Sequence, residues 1–206
     1  ALVRGYDLPT ENVPVRIDPF AFEAKALRAL MAARALKRPL RIWGPRGCGK
    51  TEHGEQFCAR LNLPVVKFPC HKQVEITDLL GSWLLVEGKM VWQDGPLTTA
   101  ARSGFVFILE EDDALDPGLR LGMQDIVRGK PLVLAAKGGE VVKPAEGFWV
   151  VATSNTRGSG NEFGDAHGVV HQNKASLERF YHFEMDYLET EVEEGLLGTK
   201  YPNLPQ

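Results

Sequence analysis

Short apolar runs separated by amphipathic stretches recur along this chain, and their order predicts strands that alternate with helices. The runs that predict strands lie at residues 40–43, 64–68, 105–109, 148–152 and 180–183. The third run is apolar throughout, which is typical of a strand covered on both faces. Such alternation favours a parallel α/β sheet.

Capping residues and glycines mark the other elements. Asp18 is placed to cap a first helix with Pro19 in its first turn, and apolar residues at helical spacing continue to Leu36. Asp116 and Pro117 open a later helix in the same way. The further predicted elements are a hairpin from 83–86 and 90–92, a second from 132–134 and 140–142, a glycine-rich loop at 157–168, a short helix at 176–179 and a helix start at 189–197.

Composition narrows the class of protein. The chain has 206 residues, 44% hydrophobic and 25% charged, which predicts a globular domain. A formal net charge of -3 disfavours a nucleic-acid partner. The three cysteines lack paired spacing, which favours reduced thiols. Reduced thiols suit a cytoplasmic protein. No apolar run approaches the roughly 20 residues of a membrane helix, so we expect no membrane span.

A glycine-rich loop joins the first predicted strand to a helix. It fits the pattern G-x-x-x-x-G-K-[ST], in which backbone N–H groups at a helix N-terminus surround phosphates. The residues expected to bind nucleotide are Gly44, Pro45, Arg46, Gly47, Cys48, Gly49, Lys50, Thr51 and Glu52. Lys50 is expected to neutralise the β- and γ-phosphates of ATP, and Thr51 to offer its hydroxyl to Mg²⁺.

Four acidic residues follow the apolar run at 105–109. Glu110 is placed to bind Mg²⁺, and Glu111 to polarise the attacking water. Most proteins with this loop have Asp in the position of Glu110. Because Glu is one methylene longer, we expect Glu110 to reach Mg²⁺ through water or with a displaced ion. A solvated acidic turn before the helix at Pro117 is the alternative.

Two polar residues near the last strands are further candidates. Asn155 ends the fourth strand and is expected to hold the attacking water or a γ-phosphate oxygen, with an ordinary turn residue as the alternative. Arg179 precedes the last strand and could act as an arginine finger on a neighbouring subunit's nucleotide. A surface ion pair with Glu178 or Glu184 is the alternative for Arg179.

Together these elements resemble the AAA+ ATPases of the MoxR branch, and especially the CobS-like cobaltochelatase ATPase subunits. The resemblance covers residues 20–194. It rests on the phosphate loop, on the acidic strand end, and on residues 69–71, 78–81, 94–98, 152–155 and 177–180.

The resemblance implies a P-loop NTPase fold, a three-layer αβα sandwich with sheet order 5-1-4-3-2 and inserted hairpins. It implies that Asn155 is the first sensor and that Arg179 acts in trans within a ring, which we expect to be a hexamer. A partner protein with a von Willebrand A domain is also implied. The expected organisation is a lead-in (1–18), a nucleotide-binding domain (19–188) and a truncated or minimal helical lid (189–206).

The predicted function is Mg²⁺-dependent ATP hydrolysis that drives remodelling or loading of a partner protein. Three alternatives remain at this point. The first is an ATP-binding scaffold with weak turnover, which Glu110 in place of Asp would favour. The others are a DNA-directed AAA+ motor, against which the net charge argues, and a small-molecule kinase, which has no use for a sensor and a finger.

Overall fold

The computed structural model describes residues 11–157 and 178–200. The helices are α1 (Ala24–Ala35), α2 (Lys50–Arg60), α3 (Ile76–Leu80), α4 (Pro96–Ser103), α5 (Pro117–Val127) and α6 (Thr190–Lys200). The strands are β1 (Leu40–Trp43), β2 (Val65–Pro69), β3 (Gly81–Val86), β4 (Lys89–Asp94), β5 (Val106–Glu110), β6 (Leu132–Leu134), β7 (Glu140–Val142), β8 (Trp149–Ser154) and β9 (Tyr181–Glu184).

The central feature is a five-stranded sheet in the order β2-β5-β8-β1-β9, with every neighbouring pair parallel. When these five strands are numbered by their own chain order, the sheet reads 5-1-4-3-2 from one edge, so the predicted order is confirmed. Every residue of β1 and β8 is buried. Strands buried on both faces need helices on both sides of the sheet.

Two apolar clusters provide those two covered faces. Helices α1 and α2 cover one face, where Phe57 packs with Ile108 of β5. Helices α4 and α5 cover the other, where Ile126 packs with Phe107 of the same strand. The split follows from the alternation of side chains along a strand. The predicted three-layer αβα sandwich is therefore confirmed.

The first helix begins later than the sequence predicts. It starts at Ala24, and Glu23 rather than Asp18 accepts hydrogen bonds from the N–H groups of its first turn. Asp18 instead pairs with Arg60 of α2, and the Asp18–Pro19 peptide is cis. Side chains of α2 bind the backbone of Ile17 and of Glu23, which flank this segment, and so hold it outside any helical turn.

Both predicted hairpins are confirmed. In the first, β3 pairs antiparallel with β4 and sets Trp83 opposite Trp92. In the second, β6 pairs with β7 across a short 3-10 turn and Gly138. The Trp83 indole N–H donates to the carbonyl of Ala136 at 2.8 Å, so the two hairpins touch.

The carboxyl-terminal elements fit the sequence in part. Except for Arg157, the predicted loop at 157–168 lies outside the described residues, as do the first two residues of the predicted helix at 176–179. Glu178 and Arg179 form a turn and not a helix. That turn leads directly into β9, whose first N–H, from Tyr181, donates to the carbonyl of Pro39. The predicted last helix is confirmed as α6. No helix within residues 11–157 and 178–200 combines the length and hydropathy required to cross a bilayer.

Candidate active site

The phosphate loop runs from the end of β1 to the start of α2, and its neighbours require glycine at its first position. A Cβ on Gly44 would lie 1.9 Å from the carbonyl oxygen of Met185, which follows β9. The N–H of Gly44 donates to the carbonyl of Ser154 at the end of β8 at 3.2 Å. The loop is therefore seated between the ends of the two strands that flank β1.

The other end of the loop fits an anion. The N-cap of α2 is Gly49, which has a φ of 85° and no side chain to cap the helix. The first N–H groups of a helix have no carbonyl partner within it, and the dipole makes that end positive. With no side-chain cap, these donors are available to phosphate oxygens, so the residues present fit the phosphates of a nucleotide.

Lys50 is buried within this loop. Its Nζ donates to the carbonyl oxygens of Gly44 at 2.9 Å and of Pro45 at 2.6 Å. Burial lowers the pKa of Lys50, while the nearby Cys48, Asp113 and Glu111 act in the opposite direction. The loop thus holds the Lys50 ammonium through two carbonyl oxygens. Phosphate oxygens can take the place of these carbonyls as hydrogen-bond acceptors.

The hydroxyl of Thr153 joins the loop to the acidic strand end. Its Oγ1 lies 3.4 Å from Oγ1 of Thr51, accepts a hydrogen bond from the N–H of Glu111 at 3.3 Å, and donates to the carbonyl of Leu109. The contact arises because β1, β5 and β8 are parallel neighbours whose carboxyl ends share one edge. No role for Thr153 was predicted from the sequence.

The two candidate glutamates lie at the turn that leaves β5. Glu110 is the last residue of the strand rather than the first after it, and is half-buried. Glu111 is exposed and adopts left-handed backbone angles of 54° and 49°. Such a conformation costs a non-glycine residue about 1–2 kcal/mol. The turn directs the N–H of Glu111 toward Thr153.

Asp113, the last of the four acidic residues, holds the end of β8. Its Oδ2 accepts hydrogen bonds from the N–H of Asn155 at 3.1 Å and from the hydroxyl of Thr156 at 3.2 Å. Asp113 is 3% exposed and Asn155 9% exposed. This anchor fixes the backbone of the predicted sensor. This anchor was not predicted from the sequence, where the run of four acidic residues was the one available signal.

A buried ion cluster lies beside this anchor and was also missed. Arg41 of β1 is fully buried, with Nε 3.1 and 3.2 Å from the carboxylate oxygens of Asp112 and Nη2 2.6 Å from Oγ of Ser154. Arg120 of α5 lies 3.6 Å from the same carboxylate. Burial lowers the pKa of Arg120, and Asp112 opposes the shift. The signal in the sequence that could have indicated this cluster is Arg41 itself, a charged residue within an otherwise apolar four-residue strand.

Arg179 is half-buried in the turn before β9. It lines a cavity beneath α5 together with Arg120, Met123 and Phe180. Among the described residues that line this cavity, none belongs to the phosphate loop. The structure therefore brings Lys50 and Thr51 together with Thr153 and Glu111, and none of these four residues lines the described cavity beside Arg179.

The comparisons with known proteins agree with this arrangement. The family model described as AAA domain (dynein-related subfamily) matches residues 39–167, which include the loop and the ends of β5 and β8. This chain belongs to that family. The predicted AAA+ ATPase of the MoxR branch, with its CobS-like character, is confirmed by the family and by named relatives.

Three curated relatives illustrate the likeness of this AAA domain. Protein NorQ of Paracoccus denitrificans is 35% identical over 60% of this chain and 46% of its own. Protein CbbQ of Hydrogenophilus thermoluteolus is 30% identical over 89% and 67%. The aerobic cobaltochelatase subunit CobS of a Sinorhizobium species is 29% identical over 86% and 55%. The chain thus spans between about half and two thirds of the length of these relatives.

A solved structure supports the fold of the AAA domain. It is a protein of Cytophaga hutchinsonii that was described as a candidate ATPase. The two structures align with a TM-score of 0.63 at 16% identity, over 88% of this chain and 55% of the other. At that identity the match supports the fold alone.

Proposed function

We propose that this AAA domain binds ATP with Mg²⁺ and cleaves the β–γ phosphate bond with water. The single observation that carries the proposal is the Thr153 hydroxyl, which lies 3.4 Å from the Thr51 hydroxyl and accepts the Glu111 N–H. A phosphate-binding helix and an acidic strand end are held together through this one side chain. Hydrolysis requires both the helix and the acidic strand end, whereas nucleotide binding requires only the helix.

The roles follow from the chemistry of each group. The free N–H groups at the start of α2 and the Lys50 ammonium bind the phosphates. The Thr51 hydroxyl and the Glu110 carboxylate would hold Mg²⁺, which supplies charge stabilisation for the transferred phosphoryl group when it is bound. The Glu111 carboxylate orients a water and accepts its proton. The Asn155 amide orients the same water or a γ-phosphate oxygen.

Arg179 acts on a second copy of the chain in this proposal. Arg179 lies in the turn before β9 and lines the described cavity beneath α5 without the phosphate loop of its own chain, which supports a role at a neighbouring nucleotide. A ring, expected to be a hexamer, supplies that neighbour. We expect the work of the ring to be remodelling or loading of a partner protein with a von Willebrand A domain. One relative, CobS, is itself described as a subunit of a larger enzyme.

Phosphate release from ATP tests the chemistry. We expect Glu111→Gln to lower turnover by about 10²- to 10⁴-fold, because it removes the proton acceptor, while nucleotide binding persists. Lys50→Ala is expected to lose binding as well. A wild-type rate no higher than that of Glu111→Gln would contradict hydrolysis and favour the ATP-binding scaffold, which the glutamate at position 110 already suggests.

Mixing two inactive variants tests the trans arrangement. Lys50→Ala supplies Arg179 but no working loop, and Arg179→Ala supplies the loop but no finger. We expect the mixture to recover turnover that neither variant has alone, and the mass of the wild type to rise with a nonhydrolysable ATP analogue. Recovery absent from a mixture that does assemble would contradict the trans role.

A further inference from the structure

The side chain of His53 links the phosphate loop to the segment before α1. His53 lies in the first turn of α2 and is 3% exposed. Its Nε2 accepts the N–H of Glu23 at 3.0 Å, and its Nδ1 lies 2.9 Å from the carbonyl oxygen of Gly49. A carbonyl only accepts, so Nδ1 carries the proton in the tautomer that satisfies both partners. The mechanism above gives this buried ring no role.

The contact at Gly49 bears directly on phosphate binding. The carbonyl of Gly49 also accepts the backbone N–H of His53 at 2.9 Å. His53 therefore holds this carbonyl through both its ring and its backbone. In a trans peptide the C=O and the following N–H point in opposite directions. With the Gly49 carbonyl held along the helix, the N–H of Lys50 is directed out of the helix N-terminus into the loop.

The other contact belongs to an arm, residues 15–23, that lies along α2. Gln56 accepts the N–H of Ile17 and donates to the carbonyl of Val15, both at 2.9 Å. Arg60 donates to the carbonyl of Ile17 at 3.1 Å. His53, Gln56 and Arg60 are three and four residues apart and so share one face of the helix.

Aromatic residues of the arm enclose the imidazole. The rings of Phe20 and Phe22 meet it edge to face, with centroid distances of 5.1 and 5.6 Å. The Arg60 guanidinium lies over both phenyl rings. The imidazole is thus fixed on its apolar faces by the arm and on its polar atoms by two backbone groups, which leaves it one orientation.

We propose that His53, oriented by the arm, is a positioning residue that fixes the Gly49–Lys50 peptide for phosphate binding. The inference rests on the proposed function, since it concerns the same nucleotide. His53 itself does not bind the phosphates. Of the three α2 side chains that hold the arm, it is the one whose recorded contacts also include the loop.

Four chains of full length provide the test: wild type, His53→Leu, His53→Asn and Gln56→Leu. His53→Leu removes both hydrogen bonds, whereas the amide nitrogen of His53→Asn can still donate to the Gly49 carbonyl. Gln56→Leu is the matched control, because it frees the arm only at Val15 and Ile17 and leaves the contacts of His53 with Glu23 and Gly49 in place. The measurements are the dissociation constant of methylanthraniloyl-ADP with Mg²⁺ and the Tm.

We expect His53→Leu to weaken binding of the analogue about two- to ten-fold, the usual size for a lost hydrogen bond. His53→Asn should recover most of that loss. Gln56→Leu should lower the Tm while leaving the dissociation constant at the wild-type value. This difference between the two variants distinguishes positioning of the loop from a general loss of stability.

Two results would overturn the inference alone: wild-type affinity in His53→Leu, or equal weakening in Gln56→Leu. If His53→Leu does not fold, His53→Asn decides the matter, because affinity far below the wild type in that folded variant contradicts a role through the Gly49 carbonyl. A wild-type chain that fails to bind the analogue would instead remove the proposed function and the inference with it.

Discussion

Charged side chains are usually exposed and large apolar side chains are usually buried, and two regions of this molecule break that rule in opposite ways. They are the carboxyl edge of the sheet and the hairpin β3–β4. At the edge the chain buries charge: Arg41 is 0% exposed and Asp112 5% exposed. At the hairpin it exposes apolar side chains, with Leu85 72% and Met90 60% exposed. Charged residues are rarely fully buried unless paired, and large apolar residues are usually covered.

The difference shows what each region depends on. The buried charges are held by partners within the chain, so their geometry is fixed by the fold, and removal of one partner leaves the other uncompensated. The hairpin surface, formed by exposed side chains such as those of Leu85 and Met90, depends little on the fold because those side chains are largely in water. Exposed apolar surface of this kind is typical of contact sites. Mutations should therefore act on stability at the edge far more than at the hairpin.

The strongest test of this contrast is Asp112→Leu. It leaves Arg41 and Arg120 buried without the carboxylate they share, so we expect a loss of about 3–5 kcal/mol in the free energy of unfolding. Urea denaturation measures the loss. Arg41→Leu is the control and should cost less, because Asp112 keeps Arg120 as a partner. If Arg41→Leu were the more damaging variant, the account of the cluster would be wrong.

A smaller effect is expected from Gly44→Ala. The added Cβ would lie 1.9 Å from the carbonyl oxygen of Met185, and backbone on both sides leaves little room for movement. We expect a cost of about 3 kcal/mol, at the upper end for overpacking. Gly47→Ala is the matched control: its Cβ meets nothing within 4 Å, so only its left-handed backbone should cost about 1 kcal/mol. Equal costs would contradict the close approach at Gly44.

The smallest effect is expected at the hairpin. Leu85→Ser should change the free energy of unfolding by no more than about 0.5 kcal/mol, because the side chain is already largely in water. Leu97→Ala, at a fully buried position of α4, should cost about 2–5 kcal/mol in the same urea measurement. A large loss from Leu85→Ser would mean that the hairpin surface supports the fold, and the contrast would fail.

The sequence predicted local features well where one stretch carried its own evidence. The apolar runs located the strands of the sheet within a residue or two, and the spacing of Gly44, Gly49 and Lys50 located the loop. The strand order came from the resemblance to a family and not from the pattern, because periodicity contains no information on which strands are neighbours.

The missed features depend on partners that are distant in sequence. Arg41 and Asp112 are 71 positions apart, and nothing in the sequence around either residue indicates that the other neutralises it. His53 reads as an ordinary helix residue until its contacts with Glu23 and Gly49 are seen. The first helix was predicted too early because Asp18 and Pro19 are good helix-start residues, while Arg60 and Gln56 of α2 bind the backbone of Ile17 just before them.

The contacts of the phosphate loop also determine when it is completed during synthesis. Cys48 of the loop contacts the carbonyl of Met185, 137 positions later, and Arg41 before the loop bonds to Ser154, 113 positions later. A ribosome adding 5–20 residues per second needs roughly 7 to 30 s to cover the longer of these distances. The nascent loop therefore leaves the ribosome well before the strands that seat it. We therefore expect nucleotide binding only after the chain has been made as far as Met185.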